Sequence, residues 1–388
     1  MQSCHNELLI LGGGICGLWL LAAARASGRS AILVERDALG GAQTLASQGM
    51  IHGGIKYALG GFTTPASETI ASMPARWKSC IAGADPVDLS GVDLLSSDYY
   101  LFSDSSLSSK VTAFFGSRAL RGRVEPLNRT AWPAFFANDQ FKGSLYRLED
   151  IVLNTESLVR RLTDDHRDSI IAGDPSIEWQ ADCNIARVMI GRSVLTADRY
   201  ALAAGAGNEA LLGGMPGHPV GMQRRPLKQV MLRHPELPSL FAHAVNVSAG
   251  AKPSVTITTH RMSDGTPVWY LGGNVAETGV ARTDDAQIAF AGKALHRLFP
   301  WLDLAGAEWA TLDVDRAEPA QPDRSRPDAP HVEMRGNVFV CWPTKLTLTP
   351  LLADDVLAAL PEASGRATER PDLPRPPVAR SPWEIAFG

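Results

Sequence analysis

The chain has 388 residues, with 37 basic and 41 acidic side chains, a formal net charge of −4 and 45% hydrophobic residues. That leaves room for two domains or one large two-lobed unit. With no basic block, it argues against a nucleic-acid partner. Five scattered cysteines, Cys4, Cys16, Cys80, Cys183 and Cys341, form no C-x-x-C pair and read as a reduced, cytoplasmic chain without a disulfide framework. Residues 8–26 are strongly apolar, yet glycines interrupt them, Arg25 ends them and no basic segment precedes them, so no transmembrane segment is expected.

In chain order, Glu7–Leu11 reads as a buried strand, followed by a glycine turn, an Ala/Leu-rich helix and a second strand over Ala31–Glu35. Five glycines between 40 and 54 mark backbone that lies close to something. Residues 66–82 are helical by spacing, with Ile70, Met73, Trp77 and Ile81 on one face. Residues 98–102 read as a strand, and 151–162 as a helix with Asn154 or Thr155 at its start and Leu158, Val159 and Leu162 inward. Strands follow at 185–190, 199–203, 229–232, 254–258 and 268–272. On the last of these, Trp269 and Tyr270 point to opposite faces, either as core or with one facing a substrate cavity. A helix over 284–299 carries Ile288, Ala291, Leu295 and Leu298, with Asp284 and Gln287 as its capping pair. Residues 316–330, rich in Pro, Asp and Arg, read as irregular. A strand over 337–342 and a turn lead to a helix with Thr349 as N-cap and Pro350 at its first position. A proline-rich tail begins at Pro361, with Trp383 and Phe387 to strap it to a surface. There are no internal repeats, and no metal-ligand spacing among histidines and cysteines.

The first forty residues carry the strongest chemistry. Gly12-Gly13-Gly14-Ile15-Cys16-Gly17 is a G-x-G-x-x-G turn between strand and helix, and Glu35 ends the next strand. Gly12 allows the tight turn, Gly14 the approach of a pyrophosphate, and Gly17 close packing of helix on strand. The helix N-terminus offers N–H groups and a positive dipole end to phosphate, and Glu35 can accept from a ribose diol. The pattern predicts dinucleotide binding.

Nucleotide-fold pieces recur in the middle and at the end of the chain, unlike the compact block of a nicotinamide enzyme. This interleaving resembles the flavoenzyme superfamily of D-amino acid oxidase, sarcosine oxidase and glycerol-3-phosphate dehydrogenase, over about residues 5–360. Ile51-His52-Gly53-Gly54-Ile55-Lys56-Tyr57 resembles the I-H-G-G-L-R-Y segment of the glycerol-3-phosphate/2-hydroxyglutarate dehydrogenase branch, with Lys56 where Arg is usual. Ala203-Ala204-Gly205-Ala206-Gly207 is similar to the superfamily's second FAD-contacting strand end, and Trp342-Pro343-Thr344-Lys345-Leu346-Thr347 to the G-K-L-T segment beside the flavin. The long C-terminal domain of the respiratory glycerol-3-phosphate enzymes is absent from this sequence. That absence and Lys56 argue against glycerol 3-phosphate itself.

The resemblance implies an α/β plus α+β fold: a Rossmann-like FAD-binding domain (1–85, 145–212, 331–362) interleaved with a substrate domain on a mainly antiparallel sheet (86–144, 213–330), then a tail (363–388). It implies FAD held by Gly12, Gly14, Gly17, Glu35, Arg36, Gln43, Thr44, Ser47, Gln48, Gly49, Ala204, Gly205, Lys345, Leu346 and Thr347, with no metal. His52 is the candidate base for a hydroxyl proton; a hydrogen-bonded loop histidine and a covalent flavin link are its alternatives. Lys345 is the candidate charge beside the flavin, or a solvated loop lysine. Arg316 is the candidate anchor for a substrate anion, because Arg316-Ala317-Glu318-Pro319 before Pro322-Asp323 echoes an R-P-x-x-P-D pattern; Arg324 and Arg326 lie nearby, and a surface loop is the alternative. Cys341 reads as a buried inert thiol. The implied activity is removal of hydride from a CH–OH carbon of a small anionic substrate. The alternatives are a CH–NH substrate on the same fold and an FAD-binding subunit of a larger complex. The electron acceptor, whether oxygen, a quinone or another protein, stays open.

Overall fold

A computed structural model of the chain describes residues 3–54, 65–103, 124–217, 220–245, 253–364 and 370–388. Leu8 to Leu11 are all but fully buried, as a continuous apolar run in the middle of a parallel sheet must be. The Ser3–Leu11 strand pairs in parallel with Ala31–Glu35 on one side and Ser193–Leu202 on the other. Ile170–Ala172 and Val338–Trp342 extend the parallel core outward, and Ser176–Trp179, Ile185–Ile190 and His331–Arg335 add antiparallel strands. The two sheet faces alternate by residue. Leu8, Ile10 and Leu33 pack under the Ile15–Ala26 helix, while Leu9, Leu11, Ile32 and Val34 pack with Tyr200 and Leu202. The Ile15–Ala26 helix is buried nearly all round, and its Trp19 lies 4.7 Å from Trp77 of the Pro65–Ile81 helix.

The second large sheet runs, edge to edge, Glu308–Pro319, Met222–Arg233, Pro267–Gly272, Pro253–Arg261, Ala242–Val245, Tyr99–Ser103, Ser144–Leu148 and Val124–Pro126. All its pairs are antiparallel except Ala242–Val245 with Tyr99–Ser103. One face packs against the Asp284–Leu298 helix and an aromatic cluster that includes Phe102, Phe136, Phe299 and Trp269. The opposite face carries Tyr270, Gln229 and Met231 and meets the nucleotide unit, where the Tyr270 hydroxyl donates to Ala46 O at 2.9 Å. Alternation thus splits Trp269 from Tyr270: the tryptophan is core, and the tyrosine, also buried, faces the loop after Glu35. A third, small sheet joins Met50–Ile51, Ile151–Leu153 and Leu94–Ser96.

The tail is a strap. Ala172 N–H donates to Pro374 O and Leu39 N–H to Pro377 O, so residues 374–378 lie along the nucleotide sheet. The chain then crosses to the second sheet as the short Pro382–Phe387 helix, whose buried Trp383 stacks on His260 at 4.1 Å. Burial pushes His260 down to about 3, so the ring stays neutral, with its Nε2 3.1 Å from Thr258 Oγ1.

Four local expectations need correction. Residues 151–153 are a strand, and the helix starts at Thr155, because Asn154 accepts the N–H groups of Glu156 and Ser157 and caps it there. The Asp284–Leu298 helix is capped by Thr283; Asp284 instead takes Lys228 Nζ at 2.9 Å, and Gln287 donates to the Lys228 and Val275 carbonyls. Residues 316–319 end a twelve-residue strand, since alternating half-buried positions pair them with Met222–Arg225 despite the prolines that follow. Leu346–Leu348 form a 3₁₀ turn that runs into the Thr349–Ala358 helix, so Leu348, not Thr349, holds the N-cap position.

The strap is expected to be a clasp between the two sheets. Trp383→Ala should remove about 3 kcal/mol of stability, read as a lower denaturant midpoint at unchanged far-UV circular dichroism.

Candidate active site

The glycine turn is built by close approach. Gly12 sits at φ 116°, and a Cβ there would lie 2.5 Å from the Ala204 Cα. A Cβ on Gly17 would lie 1.9 Å from the Gly12 carbonyl oxygen. Gly14, the N-cap of the Ile15–Ala26 helix, is different: a Cβ there would meet only Thr44 Oγ1, at 3.3 Å. A first helical turn crowded by no backbone, with only the Thr44 hydroxyl close to Gly14, fits a pyrophosphate. Glu35 is fixed beside it by the N–H groups of Gly13 (2.6 Å) and Asp37 (2.9 Å). Arg36 is exposed and paired with Asp37.

The following loop surrounds the same helix end. Thr44 Oγ1 accepts the Ile15 N–H at 2.9 Å, and Ser47 Oγ donates to the Thr44 carbonyl at 2.9 Å. Gly49 O accepts the Leu153 N–H. The Gln48 side chain turns away, donating to Tyr270 O at 2.8 Å, so it ties this loop to the second sheet. Across the turn, Ala204 N–H donates to the buried Asn208 Oδ1 at 2.9 Å, and Asn208 Nδ2 reaches the Leu202 and Cys341 carbonyls. Gln43 lies beside Gly205, whose carbonyl accepts Trp342 Nε1 at 3.0 Å.

Ile51 to Gly54 are described; Ile55, Lys56 and Tyr57 of the same motif lie outside the described residues. The His52 N–H donates to Thr347 Oγ1 at 3.2 Å, and the Gly53 N–H to the buried Asp150 Oδ1 at 2.9 Å. The histidine segment and the Lys345-Leu346-Thr347 segment, almost three hundred residues apart, are therefore neighbours. Thr347 is fully buried, and its carbonyl accepts Trp77 Nε1. Leu346 is half-buried against the nucleotide core. Lys345 is not a solvated lysine: its side chain is 6% exposed, with Nζ 3.2 Å from Asp328 O. Thr344 precedes it at φ 61°, a left-handed conformation where a β-branched residue is strained. In the G-K-L-T segment that this stretch resembles, glycine stands there.

Arg316 lies opposite Arg225 on adjacent strands, on the sheet face shared with Gln229 and Tyr270. Glu318, buried, accepts from Arg225 Nε at 2.7 Å and Nη2 at 2.9 Å. Arg316 Nε donates to the Arg225 carbonyl at 3.1 Å, and Nη1 lies 3.7 Å from Glu277 Oε1. Burial, then the charge of Arg225, pulls the Arg316 guanidinium down to about 10. Arg324 is exposed at a loop position of positive φ, and Arg326 is half-buried near Arg316. Composition reasoning missed Arg225, Glu318, Glu277, Asp150 and Asn208. Of these, only Glu318 had a sequence signal, standing two residues after Arg316 on what proves to be one strand face.

The profile of the DAO family, described as FAD dependent oxidoreductase, matches residues 7–356. The chain belongs to this family. It is an FAD-dependent oxidoreductase, and FAD is its cofactor. It is 47% identical over 390 residues to the probable FAD-dependent oxidoreductase PA4991 of Pseudomonas aeruginosa, covering 100% of this chain and 99% of that one. The crystal structure of PA4991 superposes with a TM-score of 0.87 at 43% identity, covering 100% of both chains. The fold extends to glycine oxidase from Geobacillus kaustophilus (TM-score 0.60, 18% identity, 92% of this chain and 94% of that one). It also extends to FAD-bound L-α-glycerophosphate oxidase from Mycoplasma pneumoniae (TM-score 0.64, 13% identity, 96% and 97%). The DAO fold, with its mixed nucleotide sheet and antiparallel second sheet, is thus as the sequence implied. Among the described residues no helix is long and apolar enough to cross a membrane, and no cluster of metal ligands occurs.

The contrast within the glycine turn is testable. Gly14→Val should fold yet purify without flavin, because its Cβ meets no backbone, only the Thr44 hydroxyl, and stands where the pyrophosphate would lie. Gly17→Ala should fail to give folded protein, because its Cβ meets backbone. Flavin absorbance and yield of the two variants check this.

Proposed function

We propose that this enzyme removes hydride from a CH–OH carbon of a small anionic substrate, a 2-hydroxy acid or a polyol phosphate. The observation that carries the reading is the bond from His52 N–H to Thr347 Oγ1, which holds the histidine segment against Lys345-Leu346-Thr347. FAD supplies the hydride acceptor when bound. His52 takes the hydroxyl proton on an imidazole nitrogen, work suited to that ring near neutral pH. Lys345 holds a buried positive charge beside the same segment. Arg316 receives the anionic group of the substrate, where a planar fork matches a carboxylate or phosphate.

In this reading Gly12, Gly14, Gly17, Glu35 and Arg36 hold the adenosine and pyrophosphate side, with Gln43, Thr44, Ser47, Gln48 and Gly49. Ala204, Gly205, Leu346 and Thr347 complete the cofactor's bed. Residues 1–85, 145–212 and 331–362 make the FAD-binding domain, 86–144 and 213–330 the substrate domain, and 363–388 the tail. The I-H-G-G motif supports kinship with the glycerol-3-phosphate/2-hydroxyglutarate branch, and the M. pneumoniae glycerophosphate oxidase shares the fold. Five cysteines, none of them in a disulfide among the described residues, support a cytoplasmic location.

A second reading has one observation in its favour. Glu277 lies 3.7 Å from Arg316, a carboxylate beside the anion anchor, which suits the ammonium of an amino acid. Anaerobic mixing with panels of 2-hydroxy acids, polyol phosphates and amino acids separates the two, since only a substrate bleaches the flavin. His52→Ala should keep flavin and fold while slowing that bleaching by about 10²–10⁴. An unchanged rate would leave His52 a structural residue of the loop. Arg316→Lys keeps the charge and loses the fork, so it should raise KM more than it lowers kcat. Steady-state kinetics on the substrate found in the screen measures this.

A further inference from the structure

We infer that the C-terminal tail is part of the FAD-binding machinery: residues 374–379 hold the loop after Glu35 in its binding shape, so FAD is retained while the tail is docked and released when it lifts. This rests on the reading of residues 36–49 as part of the cofactor's bed. It adds to that bed a segment from the other end of the chain, which acts without having to touch FAD.

The argument turns on one peptide group. The Leu39 carbonyl accepts the Ala379 N–H at 3.0 Å, and the N–H of the same peptide, that of Gly40, donates to Gly13 O at 2.9 Å. A peptide unit is planar and stiff, so it joins tail and glycine turn with no soft torsion between them. The Leu39 N–H adds a second bond to the tail, to Pro377 O at 2.8 Å. Leu39 is fully buried, and it packs so closely on the turn that a Cβ on Gly13 would lie 2.5 Å from Leu39 Cδ2. Gly13 in turn gives its N–H to Glu35. The residue that the tail grips thus abuts both the pyrophosphate turn and the acid read as the ribose acceptor. Lifting the tail removes both bonds on Leu39 together, and buried backbone groups left without partners drive the loop to rearrange.

The rest of the tail ties this grip to the remainder of the molecule. Before it, Ala172 N–H donates to Pro374 O at 2.7 Å, and Arg375 reaches Arg167 O at 2.9 Å and Asp168 Oδ1 at 3.0 Å. After it, buried Ser381 donates to Glu156 Oε2 at 2.6 Å, and Arg233 Nη1 donates to Phe387 O at 2.8 Å. Trp383 stacks on His260 and stands edge-on to Tyr270 at 6.1 Å, and the Tyr270 hydroxyl holds Ala46 O. The loop is therefore gripped at Leu39 by the tail itself and at Ala46 by a tyrosine that the tail packs against. Five prolines between residues 371 and 382 restrict the undocked tail, so docking costs less conformational freedom.

The first test needs no variant. Linkage is reciprocal: if the docked tail favours FAD, FAD favours the docked tail by the same factor. FAD is stripped from the native enzyme, and hydrogen exchange of the apoenzyme and the FAD-loaded enzyme is compared by mass spectrometry. The Ser176–Trp179 strand, at the far edge of the nucleotide sheet, is the reference for general stabilisation. Relative to it, FAD should slow exchange in both 36–49 and 374–388 by about fivefold or more. Slowing in 36–49 alone overturns the inference and leaves the reading of the loop standing. No slowing in 36–49 overturns the reading of the loop, and the inference with it.

The second test locks the tail. A Cβ on Gly41 would lie 3.5 Å from Ala379 Cβ, within the roughly 3.5–4.5 Å that a disulfide spans, and 3.1 Å from Ala38 O. Gly41→Cys with Ala379→Cys, loaded with FAD and oxidised with diamide, should release FAD at least about fivefold more slowly than the same protein after dithiothreitol, read as the rise in flavin fluorescence on dilution. Equal rates in the locked and reduced forms overturn the inference. If that variant does not fold, the exchange measurement on the native enzyme decides.

Discussion

Everything in the site depends on three backbones meeting without side chains between them. The end of the Ser3–Leu11 strand, the start of the Ile15–Ala26 helix and the Ala203–Ala204 corner converge on Gly12, and a Cβ there or on Gly17 would overlap main-chain atoms. Register follows from this contact. Leu11 pairs with Val34 on one side and Leu202 on the other, which puts Glu35 and Ala204 level with the turn. Asn208 then secures the corner. It is buried, and a buried amide is tolerable only when its donors and acceptor are served; here it bonds Ala204, Leu202 and Cys341 at once. The ends of two strands, Ser193–Leu202 and Val338–Trp342, are thereby fixed relative to a single side chain.

The second sheet is held to this frame by polar contacts that an apolar interface would not specify. Gln48 reaches from the loop after Glu35 to the Tyr270 carbonyl, and the Tyr270 hydroxyl returns to Ala46 O while also meeting Gln229 Oε1. This pair of contacts in opposite directions fixes both distance and orientation of sheet and loop. The strap adds a non-polar clamp at the far end, where Trp383 lies flat on a histidine that burial keeps neutral. A charged His260 at that position would lose its hydration without gaining a partner anion, so neutrality is a condition of the stacking.

Sequence periodicity revealed the parts whose burial is one-sided or complete. The apolar runs at Leu8–Leu11 and Ala31–Val34, the 3.6-residue faces of the 65–81 and 284–298 helices, and the glycine turn with Glu35 all follow from local rules. What was not legible depends on residues distant in sequence. Residues 151–153 continue into a helix by pattern alone, and only pairing with Met50–Ile51 and Leu94–Ser96, both far earlier in the chain, makes them a strand. Arg316 sits among prolines and charges that read as loop, and only the partner strand Met222–Arg233 shows it to be β. The site followed the same division. Resemblance of motifs supplied His52, Lys345, Thr347 and Arg316, but much of their setting came from Asp150, Asp328 and Arg225, which no spacing links to them.

Thr344 and Arg316 share a further property: both are locally unfavourable. A β-branched residue at φ 61° and a guanidinium partly buried opposite another guanidinium each lower stability, by amounts on the order of 1 kcal/mol or more. Chains tolerate such positions where the surrounding structure over-determines them. Thr344 is held by its hydroxyl on Ala329 O, and the next residue, Lys345, by Asp328, so the strained turn and the loop after Arg316 stabilise each other. Arg225 is satisfied by Glu318, which leaves the conflict concentrated on Arg316 alone. The strained turn at Thr344 is tied through Ala329 and Asp328 to the loop after the Glu308–Pro319 strand, and the segment against which the His52 N–H is held takes its position from that pairing.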